Sequence, residues 1–107
     1  MGLDAVIYED ENEQCQISAK RIGNVAHVAV LRKFASRSLG VKSLLVSKVL
    51  YSATHCGDSI AVSELQPLAS ELLILEQTVD LDVQTFAREM LELVQTALNY
   101  GRPIHFS

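Results

Sequence analysis

The sequence predicts an α+β domain of two layers, with about three helices packed on a small, largely antiparallel sheet. Three observations predict it. A short β-rich apolar segment, LDAVIY at 3–8, stands near the start, and RPIHFS at 102–107 can form a terminal strand, with Pro103 permitted at its beginning. Residues 25–38 and 83–100 carry their apolar positions at helical spacing. No Pro/Gly/Ser-rich linker and no internal repeat divides the 107 residues, so one globular domain over 1–107 is expected.

Taken in order, residues 3–8 form a first strand and 9–14 an acidic loop. Residues 16–22 return as a second strand with Ile17, Ala19 and Arg21 on one face and Ser18, Lys20 and Ile22 on the other. Neither face is cleanly apolar, which marks an edge strand. Gly23 and Asn24 break it, and Asn24 suits the N-cap of a helix from Val25 to about Ser38. Val28, Leu31, Ala35 and Leu39 make its apolar stripe, flanked by Val30 and Phe34, and Gly40 is its stop.

Residues 41–53 read two ways. Helical spacing joins Val41, Leu45 and Val49, whereas alternation sets Leu44, Val46, Lys48 and Leu50 against Leu45, Ser47, Val49 and Tyr51. The valine content and the turn that follows favour a strand over 45–52. A turn at 54–59 leads to a short strand at 60–62, and Ser63 with Gln66 resembles a capping box. Pro67 fits best as the first residue of a helix over 67–77.

Within that helix Leu72, Leu73, Ile74 and Leu75 are consecutive and cover every side. The helix is therefore either buried nearly all round or meets another chain, which makes the run a candidate interface. Asp80 or Asp82 caps the last helix, from about Val83 to Tyr100. Its stripe is Val83, Phe86, Met90, Val94 and Ala97, and Gly101 ends it.

Composition bounds the function. Hydrophobic residues make up 49% and charged residues 21%, an ordinary globular balance with no Trp and a largely aliphatic core. Cys15 and Cys56 form no disulfide framework, and no CxxC or HxxxH spacing is present. Nucleotide, nicotinamide and pyridoxal fingerprints are absent as well, so no metal or cofactor is expected. The early acids argue against a secretory leader, and the apolar run at 22–31 is too short to span a bilayer. A soluble, cytoplasmic protein with reduced thiols and no membrane partner is expected.

Net charge is −4, and it is segregated. Every Lys and Arg except Arg88 and Arg102 lies between residues 14 and 57, a stretch without a single acid. Either this basic third packs beside the acidic ones or it presents a surface to a phosphate, a nucleic acid or an acidic protein. Nucleic acid is disfavoured, because few cations share one helix face and no aromatic residue lies among them.

The densest chemistry is THCGDS, Thr54, His55, Cys56, Gly57, Asp58 and Ser59. SATHCGDS echoes two motifs of the trypsin-like serine proteases, but here the two touch, and Ile60 and Ala61 stand where that family has glycines. The echo implies no protease. On its own chemistry the stretch supplies a nucleophile in Cys56, a base in His55 and a supporting carboxylate in Asp58, the candidate catalytic residues. His55 and Cys56 are sequence neighbours, and in extended backbone their side chains point to opposite faces. Gly57-Asp58 equally fits a plain turn. His27 and His105 are the histidines that folding can bring to Cys56. Lys20 and Arg21 precede a helix start, where an anion can be received, and with Thr54, His55 and Asp58 they are the candidate ligand-binding residues.

The reading these features support is a non-catalytic binding or interaction protein of a regulatory, accessory or immunity-like kind. Its partner is another protein or a second copy through Leu72–Leu75. The alternative is a small enzyme or anionic-ligand-binding protein that uses Thr54–Ser59.

Overall fold

A computed structural model describes residues 2–9, 15–51 and 58–106. Strand β1 (Gly2–Tyr8) and strand β2 (Gln16–Asn24) lead into helix α1 (Val25–Leu39). A π-helical turn follows at Leu45–Val49, then strand β3 (Ser59–Ile60) and a 3-10 turn at Val62–Glu64. Helix α2 (Leu65–Glu76), helix α3 (Leu81–Tyr100) and strand β4 (Ile104–Phe106) complete the fold. The strands form one antiparallel sheet in the order β2-β1-β4-β3. This is the expected α+β arrangement, with β2 at an edge.

The sheet separates two faces by simple alternation. Leu3, Ala5 and Ile7 of β1 are fully buried and join Ile60, Ile104 and Phe106 in one core with the helices. The opposite face carries Asp4, Val6, Ala19, Arg21, His105 and Ser59, as the cross-strand register places them. The mixed pattern of β2 has a specific cause. The register skips Ile22 between Leu3 and Asp4, and skips Ile17 between Ile7 and Tyr8, so each isoleucine sits in a bulge. A bulge re-aims a side chain. Ile22 is buried on the helix-facing side that it shares with Ser18 and Lys20, and the bulge at Ile17 lets that residue pack against the core too, although strict alternation sets the two isoleucines on opposite faces.

Asn24 caps α1 as expected, its Oδ1 accepting the His27 N–H at 2.9 Å. The backbone at Gly23 passes so close to the His27 ring that a Cβ there would collide with it. Val28, Leu31 and Ala35 face the core. Asp80 is the cap of α3, accepting from the amides of Asp82 and Val83, and Gly101 ends that helix in the left-handed conformation. All five residues of the expected α3 stripe are buried.

The expected strand over 45–52 is incorrect across its described part, residues 45–51. Leu45, Val46, Val49 and Leu50 are buried while Ser47 and Lys48 are exposed, which is one side of a helical turn and not an alternation. A tertiary bond explains the choice. Glu71 of α2 accepts the N–H groups of Leu44 and Leu45 at 2.9 and 2.8 Å, satisfying donors that a helix start leaves open. Pro67 is the third residue of α2, not the first. There its missing N–H still belongs to the first turn and interrupts no intrahelical bond. The expected pairing of Ser63 with Gln66 gives way to Glu64, whose carboxylate accepts the Ala61 N–H at 3.1 Å.

The Leu72–Leu75 run divides. Leu72 and Leu75 are buried, whereas Leu73 and Ile74 are 53% and 56% exposed. Core and surface each take two of the four.

Candidate functional site

The residues singled out by sequence fall at two distant places. Lys20 and Arg21 lie in β2 at one edge of the sheet; Asp58 and Ser59 lie at the other, beside and in β3. Three strand spacings separate the edges, about 14 Å. The fold therefore does not bring Lys20 and Arg21 to Asp58. Thr54, His55, Cys56 and Gly57 lie outside the described residues.

At the β3 edge Asp58 accepts a hydrogen bond from the Tyr51 hydroxyl, and its carbonyl accepts the Phe106 N–H at 2.9 Å. The carboxylate beside it, with some burial, holds the Tyr51 phenol above its ordinary value. Ser47, Lys48, Tyr51, Asp58 and Ser59 line a polar depression of about 320 Å³. Lys48 is bonded to Glu64, and this bond, with the Ala61 amide, holds the Glu64 carboxyl below its ordinary value. Arg32 Nη1 donates to the Tyr51 carbonyl at 3.0 Å and ties this corner to α1. His105 is the histidine that folding brings close, opposite Ser59 in the sheet and 5.6 Å from the Tyr8 ring between centroids. His27 lies at the far edge, against β2.

The β2 edge holds the larger feature. A groove of about 470 Å³ runs between β2 and α3, lined by Ser18, Ala19, Lys20 and Arg21 on one side and Glu89, Glu92 and Thr96 on the other. Successive strand residues point to opposite faces. Four consecutive ones line a single groove only if it follows the open backbone edge. The same four residues are the regular stretch between the two bulges. A second depression continues the seam past Ile22 and His27 to Asp82 and Phe86.

Both cations of the edge are engaged. Lys20 shares the helix-facing side with Ala5, its side chain only 13% exposed. Its Nζ lies 3.4 Å from Glu89 and 5.8 Å from the centre of the Phe86 ring, within cation–π range. Arg21 is on the other face, 3.6 Å from Asp4 of β1. The basic third of the chain thus packs in part beside acids of both flanking thirds. Glu92 forms no ion pair among the described residues.

Sequence reasoning identified Lys20 and Arg21 but missed Glu89 and Glu92. Their spacing along α3 was a visible signal; that this face of the helix borders the strand edge was not. Among the described residues no group of three or more His, Cys, Asp or Glu is placed to hold a metal ion, and no helix is long and apolar enough to cross a membrane. Compared with known proteins, the chain matches no family model, no curated protein and no solved structure.

Proposed function

We propose that this protein is a non-catalytic interaction module that receives an extended polypeptide segment along the edge of β2. The observation that supports it best is the groove itself, in which a strand edge unpaired among the described residues forms one wall and a helix the other. Strand addition at such an edge takes its affinity from backbone hydrogen bonds and its selectivity from the side chains of the walls. The bulges leave Ser18–Arg21 as the longest regular stretch of β2, and bulges and charges of this kind discourage indiscriminate sheet extension. Four paired residues make a small contact, suited to a weak and reversible association.

Titration of the isotope-labelled chain with short extended peptides tests the reading. Backbone amide signals of residues 18–21, and of α3 residues facing them, are expected to move together. Shifts confined to other surfaces, or none, would overturn it.

The polar depression at Tyr51 and Asp58 supports the second reading, a small enzyme or anion-binding protein using 54–59. Alkylation of Cys56 against pH, in a Cys15→Ser background, separates the two. The interaction module predicts a thiol that titrates near its free value of about 8.5. A midpoint displaced well into the acid range would favour the alternative.

A further inference from the structure

We infer that the segment received at β2 is basic, with a lysine or arginine set opposite Ser18 and directed at Glu92. This rests on the docking reading above and names the chemistry of the partner. A strand added to β2 continues its alternation, so the residue opposite Ser18 lies on the helix-facing side at about 4.5–5.5 Å. The lining residues give the order along the seam. Ile22 and His27 lie by Asp82 and Phe86, Lys20 lies by Glu89, and Ser18 lies in the part of the groove bordered by Glu92 and Thr96.

The charge balance of this wall is uneven. Asp82, Glu89 and Glu92 of α3 border a seam whose strand wall carries Lys20, which already holds Glu89, and Arg21, which is engaged with Asp4 on the other face, so Glu92 is left without an ion pair among the described residues. Ser18 is small and half-buried, leaving room beside Glu92 for a long cationic side chain. The chain's net charge of −4 favours the approach of a basic partner over an acidic one. A second copy is a poorer occupant. Its Lys20 would arrive already matched to its own Glu89, and its α3 would bring three more acids to the same seam.

The test uses the full chain and short capped peptides that alternate threonine with lysine, with glutamine or with glutamate. The lysine peptide is expected to move the amide signals of Ser18–Arg21 and to bind up to about fivefold more tightly than the glutamine peptide, the upper range of one exposed ion pair. Glu92→Lys is expected to abolish that preference and to transfer it to the glutamate peptide. Thermal unfolding of the variant, expected to match the parent, verifies that an exposed substitution has left the fold intact. Equal binding of all three peptides at β2 would leave the docking site standing and overturn the basic partner. Failure of every peptide to move the β2 signals at low salt would overturn both. A concentration-dependent dimer with protected β2 amides would identify a second copy as the occupant and overturn the inference as stated.

Discussion

Glu71 and Leu45 are 26 residues apart in sequence, yet the Glu71 carboxylate accepts the Leu45 N–H at 2.8 Å, and its other oxygen accepts that of Leu44. This one side chain anchors the start of the π-helical turn to α2. Glu71→Ala leaves two partly buried N–H groups without their acceptor, which costs about 1–3 kcal/mol for such a group. Glu71→Gln keeps one acceptor oxygen and is expected to lose less. Urea unfolding of both variants measures the difference, and equal stability with the parent would remove the anchor.

The phenol of Tyr51 donates to the carboxylate of Asp58, which keeps it protonated to higher pH than a free tyrosine. A raised folded-state value means that this contact stabilises the fold at and below the ordinary tyrosine range, about 10. That contribution is lost as pH rises through the folded value. Ultraviolet titration is expected to show Tyr51 ionising late, and Asp58→Asn to lower its midpoint. A Tyr51 that already titrates normally in the parent would contradict the contact.

Gly23 has no side chain because the His27 ring occupies the space a Cβ would fill. Gly23→Ala forces that ring or the β2–α1 junction to move, an overpacking cost of about 1–3 kcal/mol. Pairing it with His27→Ala is expected to recover part of the loss, since the colliding ring is gone while the positive φ of 154° at Gly23, unfavourable for any side chain, and the His27 Cβ remain. Chemical denaturation of the single and double variants checks this, and simple additivity would argue against a direct clash.

Leu72 and Leu73 are adjacent but have opposite roles, one fully buried and one half exposed. Leu72→Ala is expected to cost about 2–5 kcal/mol, the range for opening a cavity in a packed core. Leu73→Ser is expected to stay within about 0.5 kcal/mol, as for a surface change. The same Leu73→Ser chain tests the interface once assigned to this run: sedimentation that is concentration-dependent in the parent and not in the variant would establish self-association there.

Where local physics decides, the sequence was legible. The apolar stripe of α3, the Asn24 cap, an aspartate cap at 80 or 82 and the Gly101 stop are each set within about one turn of helix; the fold uses Asp80. The α+β class followed from these helices together with the strand segments at 3–8 and 102–107. Residues 41–53 were not legible in this way. Their valines suit a strand as well as a helix, and Glu71, which satisfies the freed amides, lies on another helix. Local preference is weak enough for one pair of tertiary hydrogen bonds to overturn it.

The candidate site divides along the same line. Lys20 and Arg21 stood out because the charge of the chain is segregated, and THCGDS because its residue types are reactive. Their spatial relation was beyond the sequence. Pairing through β1 and β4 sets Lys20 and Asp58 at opposite edges of the sheet, and two bulges in β2 leave Ser18–Arg21 as its longest regular stretch. Residue types and periodicity determined which segments form elements and which side chains carry charge. Long-range strand pairing and the packing of α3 beside β2 decided which of those charges meet, because contacts between residues far apart in sequence leave no pattern in either segment alone.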